Sequence, residues 1–260
     1  MTTTTGDGLQ WELRESVLEL TISRPDRMNA VDMSTMRELG AAIREAGRDP
    51  SVRSILITGT GPAFCTGADL AAGAVNPADP TVVMDVANEV IRAIVEVPVP
   101  VVAAVNGPAA GVGVSIALAA DLTYAADSAY FLLAFVGVGL MPDGGSSVLV
   151  AASIGRAKAA ELALLGQRLS AAEADRSGLV SRTLPDGELL DHARAVAGRL
   201  ATGPRRALEL TKRALAAATL AALDDALERE RAGQAELLAS PDFAEGAAAM
   251  LQKRKPHYSG

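Results

Sequence analysis

The chain has 260 residues, 49% of them apolar and 21% charged, with a net charge of −7 at neutral pH. Those values give one large domain, or a core with a small appendage, and exclude a disordered tail, a coiled coil and a disulfide-stapled mini-protein. An acidic chain of this size is also a poor match for nucleic acid or an anionic membrane, so neither is expected as a partner.

The first eight residues, Met1-Thr-Thr-Thr-Thr-Gly-Asp-Gly8, have neither the basic nor the apolar segment of a signal peptide. The single cysteine, Cys65, allows no intrachain disulfide, which fits a reducing cytoplasm. Leu9 to Leu13 and Val17 to Ile22 alternate in polarity and read as a strand pair. Asp32 stands where an N-cap belongs, ahead of Met33, Met36, Leu39, Ile43 and Ala46 at helical spacing. Ser54 to Thr58 is a short strand that runs into the loop Gly59-Thr60-Gly61-Pro62, and Pro80 to Val97 reads as a helix.

Val97 to Ala120 carries no charge over 24 residues, but its prolines and glycines would break a membrane helix several times. It predicts a buried strand at Val101 to Val105, a turn at Asn106-Gly107-Pro108 and a buried helix from about Gly111. Leu122 to Ala125 and Tyr130 to Phe135 are further strands, and the alternation of strand and helix predicts an α/β layered fold. Beyond Pro185 the composition turns to Ala, Leu, Glu and Arg. Four helices are predicted there: Glu188 to Leu200, Pro204 to Ala217, Leu220 to Leu238 and Asp242 to Leu251. The chain thus divides into a core over 1–185 and a helical region over 186–260 that covers the core or a neighbouring subunit.

Standard catalytic constellations are missing. His192 and His257 are the only histidines, neither has metal-ligand spacing, and both read as solvated surface, so no metal is expected. Gly111-Val-Gly113 lacks the third glycine of a dinucleotide fingerprint. Ser115 lacks the following glycine of a nucleophile elbow, and Cys65 reads as a packed apolar residue.

Three segments in order resemble the crotonase family of enoyl-CoA hydratases and isomerases. They are Ala63-Phe-Cys-Thr-Gly-Ala-Asp69-Leu70, Val105-Asn-Gly-Pro-Ala-Ala-Gly-Val-Gly113 and Gly139-Leu-Met-Pro-Asp143-Gly-Gly145. Ser23-Arg-Pro-Asp-Arg-Met-Asn-Ala30 and the C-terminal stretch from Ser240 to Pro256 fit as well. The resemblance implies an α/β fold, the crotonase-type ββα spiral core with a helical C-terminal region, and a homotrimer or hexamer. It implies an acyl-CoA thioester as substrate, with no separate cofactor because CoA is part of that substrate. It places the thioester oxygen on the backbone N–H groups of Ala68 and Val112, with Gly111 allowing close approach. For CoA binding it points to Arg24, Arg27, Met28, Ala30, Ala68, Asp69, Leu70, Lys253 and Lys255.

The departures from the hydratase pattern are informative. Where that pattern has two glutamates, this chain has Ser115 and Phe135, both expected in the substrate pocket. Neither side chain can activate water near neutral pH. Asp143 is then the outstanding acid/base candidate. From Ser128 to Pro142 no residue is charged, so its carboxyl should be desolvated and its pKa raised. Met-Pro-Asp-Gly-Gly resembles the double-bond and ring-epoxide isomerase branch of phenylacetate breakdown. The alternative role for Asp143 is to cap the helix starting near Gly144.

Overall fold

In a computed structural model, residues 3–5, 8–69 and 81–258 are described. A seven-stranded sheet has the order β1-β2-β3-β4-β5-β7-β10. Its strands are β1 (Thr3–Thr5), β2 (Leu9–Arg14), β3 (Val17–Ile22), β4 (Ser54–Gly59), β5 (Val101–Val105), β7 (Leu122–Ala126) and β10 (Arg182–Leu184). The first three strands pair antiparallel, with Leu9 opposite Ile22; from β3 to β10 every pairing is parallel. A three-stranded sheet joins β6 (Ala109–Ala110), β8 (Tyr130–Leu132) and β9 (Arg168–Ser170).

β4 and β5 are buried almost throughout, as continuous apolar runs inside a parallel sheet should be. The helix α1 (Met33–Arg48) starts where the sequence reading puts it, because Asp32 accepts a hydrogen bond from the Thr35 N–H at 2.8 Å. It buries Met36, Leu39 and Ile43 and packs against α2 (Thr81–Glu96). Pro80, the expected start of α2, lies outside the described residues. The uncharged stretch 97–120 resolves into β5, β6 and α3 (Val112–Ala119). Among the described residues no helix is long and apolar enough to cross a membrane.

One strand assignment needs correction. The apolar run from Tyr130 leaves the sheet after Leu132, and Phe135 opens a 3₁₀ turn, Phe135–Val138. Gly139 closes that turn with φ +73°, which ends extended structure at this point. α4 (Ser146–Leu165), broken at Gly155, and α5 (Ala171–Ser177) follow.

The C-terminal helices are α6 (Leu189–Ala201), α7 (Arg205–Thr219), α8 (Leu223–Leu238) and α9 (Pro241–Leu251). α6 lays Leu189, Ala193 and Ala197 on the large sheet, and α8 adds Leu223 and Leu227 to the same apolar core. The core therefore crosses residue 185 without a break. α7 is pinned by Lys212, whose buried ammonium meets Asp121 at 2.9 Å and the Ile94 carbonyl oxygen at 2.8 Å.

Candidate active site

Two segments from different parts of the chain run side by side at the centre. Cys65 and Ala109 form a parallel bridge, with the Ala110 N–H donating to the Cys65 carbonyl oxygen at 2.9 Å. Ala68 and Val112 each lie three residues further along. Gly67 and Gly111 occupy the contact at φ +99° and +52°, a region that side chains disfavour. A Cβ on Gly67 would stand 3.1 Å from the Ala110 carbonyl oxygen.

This geometry frees two N–H groups. Val31 donates to the Gly67 carbonyl oxygen at 2.8 Å and accepts from the Asp69 N–H at 2.9 Å. A parallel bridge of this kind uses the neighbours of Ala68 and turns the N–H of Ala68 itself the other way. Val112 is the first residue of α3, so its N–H has no helical acceptor. Neither N–H meets an acceptor among the described residues. Both residues line a cavity of about 700 Å³, with Gly111 and Phe135 on the same wall.

Asp143 is the one carboxylate on that wall among the described residues. It is only 7% exposed. Its Oδ2 accepts from Gln234 Nε2 at 2.8 Å, while Oδ1 is buried without a partner. Burial pushes its carboxyl up to about 7; the Gln234 hydrogen bond opposes this rise and the nearby Glu230 charge adds to it.

The capping role does not hold. α4 begins at Ser146, and its first N–H groups are met from α8: the Glu230 carboxylate accepts from Gly145 N at 2.6 Å and Ser147 N at 3.0 Å. Asp143 contributes only its backbone oxygen to this turn, leaving its side chain to face the cavity. Ser115 also needs a new place. It is fully buried behind the pocket wall, and its Oγ donates to the Asp143 carbonyl oxygen at 2.9 Å. It steadies Asp143 from below and does not line the cavity. Cys65 is sealed in the core, where burial pushes its thiol up to about 12.

The N-terminal loop braces the Ala68 segment. Arg24 bridges Asp32 at 3.0 Å and Asp69 at 3.1 Å, and it also donates to the Ala30 carbonyl oxygen. Its charge is therefore used inside the protein. Arg27 and Met28 are exposed beside it, and Ala30 is half-buried. Leu70 lies outside the described residues. Asn29 is fully buried at φ +55°, donating to Thr60 O at 2.9 Å and Ala63 O at 2.6 Å and accepting from Arg24 N at 2.9 Å. Asn29→Ala leaves the Thr60 carbonyl oxygen and the Arg24 N–H without this partner and should lower stability by about 2–4 kcal/mol, read by denaturant unfolding.

At the C-terminus, Arg254 lines the cavity mouth and is held by Glu245 of the same chain. Lys253 and Lys255 flank it, exposed. His192 is half-buried with its ring edge-on to Tyr124, a correction to the solvated reading; His257 is exposed. Glu230 and Gln234 escaped the sequence reading. Their one sign is spacing: they continue the apolar stripe Leu223, Leu227 of α8 at steps of three and four residues.

The enoyl-CoA hydratase/isomerase family model matches residues 12–260, and the chain belongs to that family. A probable enoyl-CoA hydratase of Rhodobacter capsulatus is 41% identical over 253 residues, covering 97% of this chain and 98% of the relative. The 1,2-epoxyphenylacetyl-CoA isomerase of Escherichia coli is 38% identical, covering 95% and 97%. Among solved structures, an enoyl-CoA hydratase from Mycobacterium avium subsp. paratuberculosis superposes with a TM-score of 0.92 at 44% identity, covering 98% of this chain and 100% of that one.

Proposed function

We propose that this acyl-CoA enzyme is an isomerase that shifts a double bond along the acyl chain by proton transfer through Asp143. The observation that carries this reading is the one buried carboxylate that, among the described residues, faces a cavity also holding two free N–H donors. Hydration needs one group to activate water and a proton donor for carbon. Isomerisation needs one group that takes a proton and gives it back. Relatives named as hydratase and as isomerase are comparably similar, so the choice rests on the site.

The thioester carbonyl oxygen accepts from Ala68 N–H and Val112 N–H. Asp143, ionised, takes a proton from the acyl chain through Oδ1, and the electron pair of the broken C–H bond moves into the thioester to form an enolate. The two donors hold the negative oxygen, each contributing roughly 3–4 kcal/mol, and the α3 N-terminus adds a favourable dipole. Asp143 then returns the proton at another carbon and regains its charge. The apolar walls, including Phe135, Val136 and Leu140, keep water from the enolate.

For the nucleotide end of CoA, the exposed candidates are Arg27, Met28, Lys253 and Lys255. Arg24 and Asp69 act indirectly, by holding the Ala30 and Ala68 backbone. We also place the enzyme in the cytoplasm as a trimer or hexamer. α7 leaves Leu210 and Leu215 exposed, at 48% and 62%, as a subunit contact would use them. Sedimentation at micromolar concentration should give a trimer or hexamer; a clean monomer would remove that part of the reading.

The direct test offers 3-enoyl-CoA and 2-enoyl-CoA esters side by side. Interconversion of the two is expected to exceed formation of 3-hydroxyacyl-CoA by a large factor. Binding without turnover over a broad panel would instead make the protein an acyl-CoA binder.

A further inference from the structure

We infer that Gln234 is a positioning residue for Asp143, and that with Glu230 it makes α8 a working part of the acid/base site. This rests on the reading of Asp143 as the proton carrier.

Glu230 and Gln234 are 2% and 0% exposed, on the helix face that also buries Leu223 and Leu227. Polar side chains are placed so deep at a cost unless they have partners. Both reach the turn that carries Asp143. Glu230 takes the N–H groups of Gly145 and Ser147, two and four residues past Asp143. Gln234 Nε2 donates to Asp143 Oδ2 at 2.8 Å. With Ser115 Oγ on the Asp143 carbonyl oxygen, backbone and side chain are both fixed, and Oδ1 is left as the oxygen without a partner.

Gln234 Oε1 is a second buried acceptor without a partner. An amide is suited to serve both charge states of the aspartate. Its N–H₂ donates to the carboxylate. When Oδ1 carries the proton, Oδ2 remains an acceptor, so the same N–H₂ bond is kept by the carboxylic acid. The pair can therefore stay bonded while the proton is held between the two carbon positions of the substrate.

Charged groups around Asp143 come from several elements. Glu230 on α8 adds negative charge, Asp32 at the start of α1 shares a small chamber with Asp143 and is paired with Arg24, and Arg254 at the cavity mouth is paired with Glu245. Asp85 of α2 is paired with Arg231 of α8.

The test uses the full chain and two variants that act in opposite directions. Gln234→Met keeps volume but removes the donor to the carboxylate. It should move the acidic limb of the pH–rate profile up by about one pH unit and lower kcat about tenfold, with KM little changed. Glu230→Gln keeps one of the two acceptors for the turn and removes the charge, and should move the limb down. Gln234→Glu, which is isosteric, should move it up further and serves if the Met variant does not fold. Infrared titration of the Asp143 carboxyl, identified by its loss in Asp143→Asn, reads the same shifts without turnover. Lower melting temperatures with an unmoved limb, or shifts of the same sign in Gln234→Met and Glu230→Gln, would overturn the inference. An active Asp143→Asn would instead overturn the underlying role of Asp143, while the infrared titration still tests the pairing.

Discussion

Asp143→Asn should fold, bind acyl-CoA and turn it over about 10²–10⁴-fold more slowly than the parent. Asparagine keeps the size and still accepts from Gln234 Nε2, so the site is not remodelled; it only loses its proton acceptor. Ser115→Ala is the matched control. It removes one hydrogen bond to the Asp143 carbonyl oxygen and should cost far less activity. A dead Ser115→Ala beside a healthy Asp143→Asn would refute the assignment.

The same carboxyl fixes a pH dependence. With its pKa raised to about 7, the base form grows as pH rises, so kcat/KM should climb through the acid range and level off above neutrality. For stability the sign is opposite. The folded pKa lies above the unfolded value, so folding favours the protonated form and stability falls as pH rises from about 4 to 7. Asp143→Asn should therefore melt higher than the parent at pH 8, and the gap should shrink as pH falls and close near pH 4. A gap that is constant with pH would mean that Asp143 is not the buried group that titrates.

Val112→Pro tests the other half of the site. Proline suits the first turn of a helix and lacks only the N–H that α3 leaves unbonded. A proline also restricts the residue before it, but Gly111 at φ +52° and ψ −130° sits in the mirror image of the extended region, open only to glycine. The variant should fold, and turnover should fall by at least about 10²–10³-fold, because one oxyanion donor is lost and the ring Cδ stands where that N–H pointed. Unchanged turnover would move the thioester oxygen away from Val112. Single-turnover kinetics should show the loss in the chemical step.

Much of this was legible in the chain because local signals agreed. Asp32 ahead of Met33, Met36 and Leu39 announces α1, and the prolines and glycines of 97–120 argue against a membrane helix and for a strand, turn and helix. Asp143 stands out in the chain as a lone charge among apolar residues, and it is buried at the cavity wall as that predicts. What escaped was long-range. Nothing near Asp143 in sequence says that Glu230, 87 residues on, caps α4, or that Gln234 holds the carboxyl. Those contacts exist because α8 packs back over the core, and a helix face reveals its depth only by which residues share it. Ser115 was misplaced for a related reason: the resemblance gives its position along α3, whereas its side-chain direction depends on the turn at Asp143 packed above it. Phe135 likewise kept its place at the pocket while its backbone left the sheet, because Gly139 tightens the chain into a turn.

The central claim is that one carboxylate moves a proton and no water is added. The most direct measurement incubates the enzyme with 3-enoyl-CoA and with 2-enoyl-CoA in water enriched in ¹⁸O and follows product mass. Proton shuttling through Asp143 predicts interconversion of the enoyl esters without gain of ¹⁸O, abolished in Asp143→Asn. Rapid build-up of 3-hydroxyacyl-CoA carrying ¹⁸O from the parent enzyme would contradict it and make the protein a hydratase.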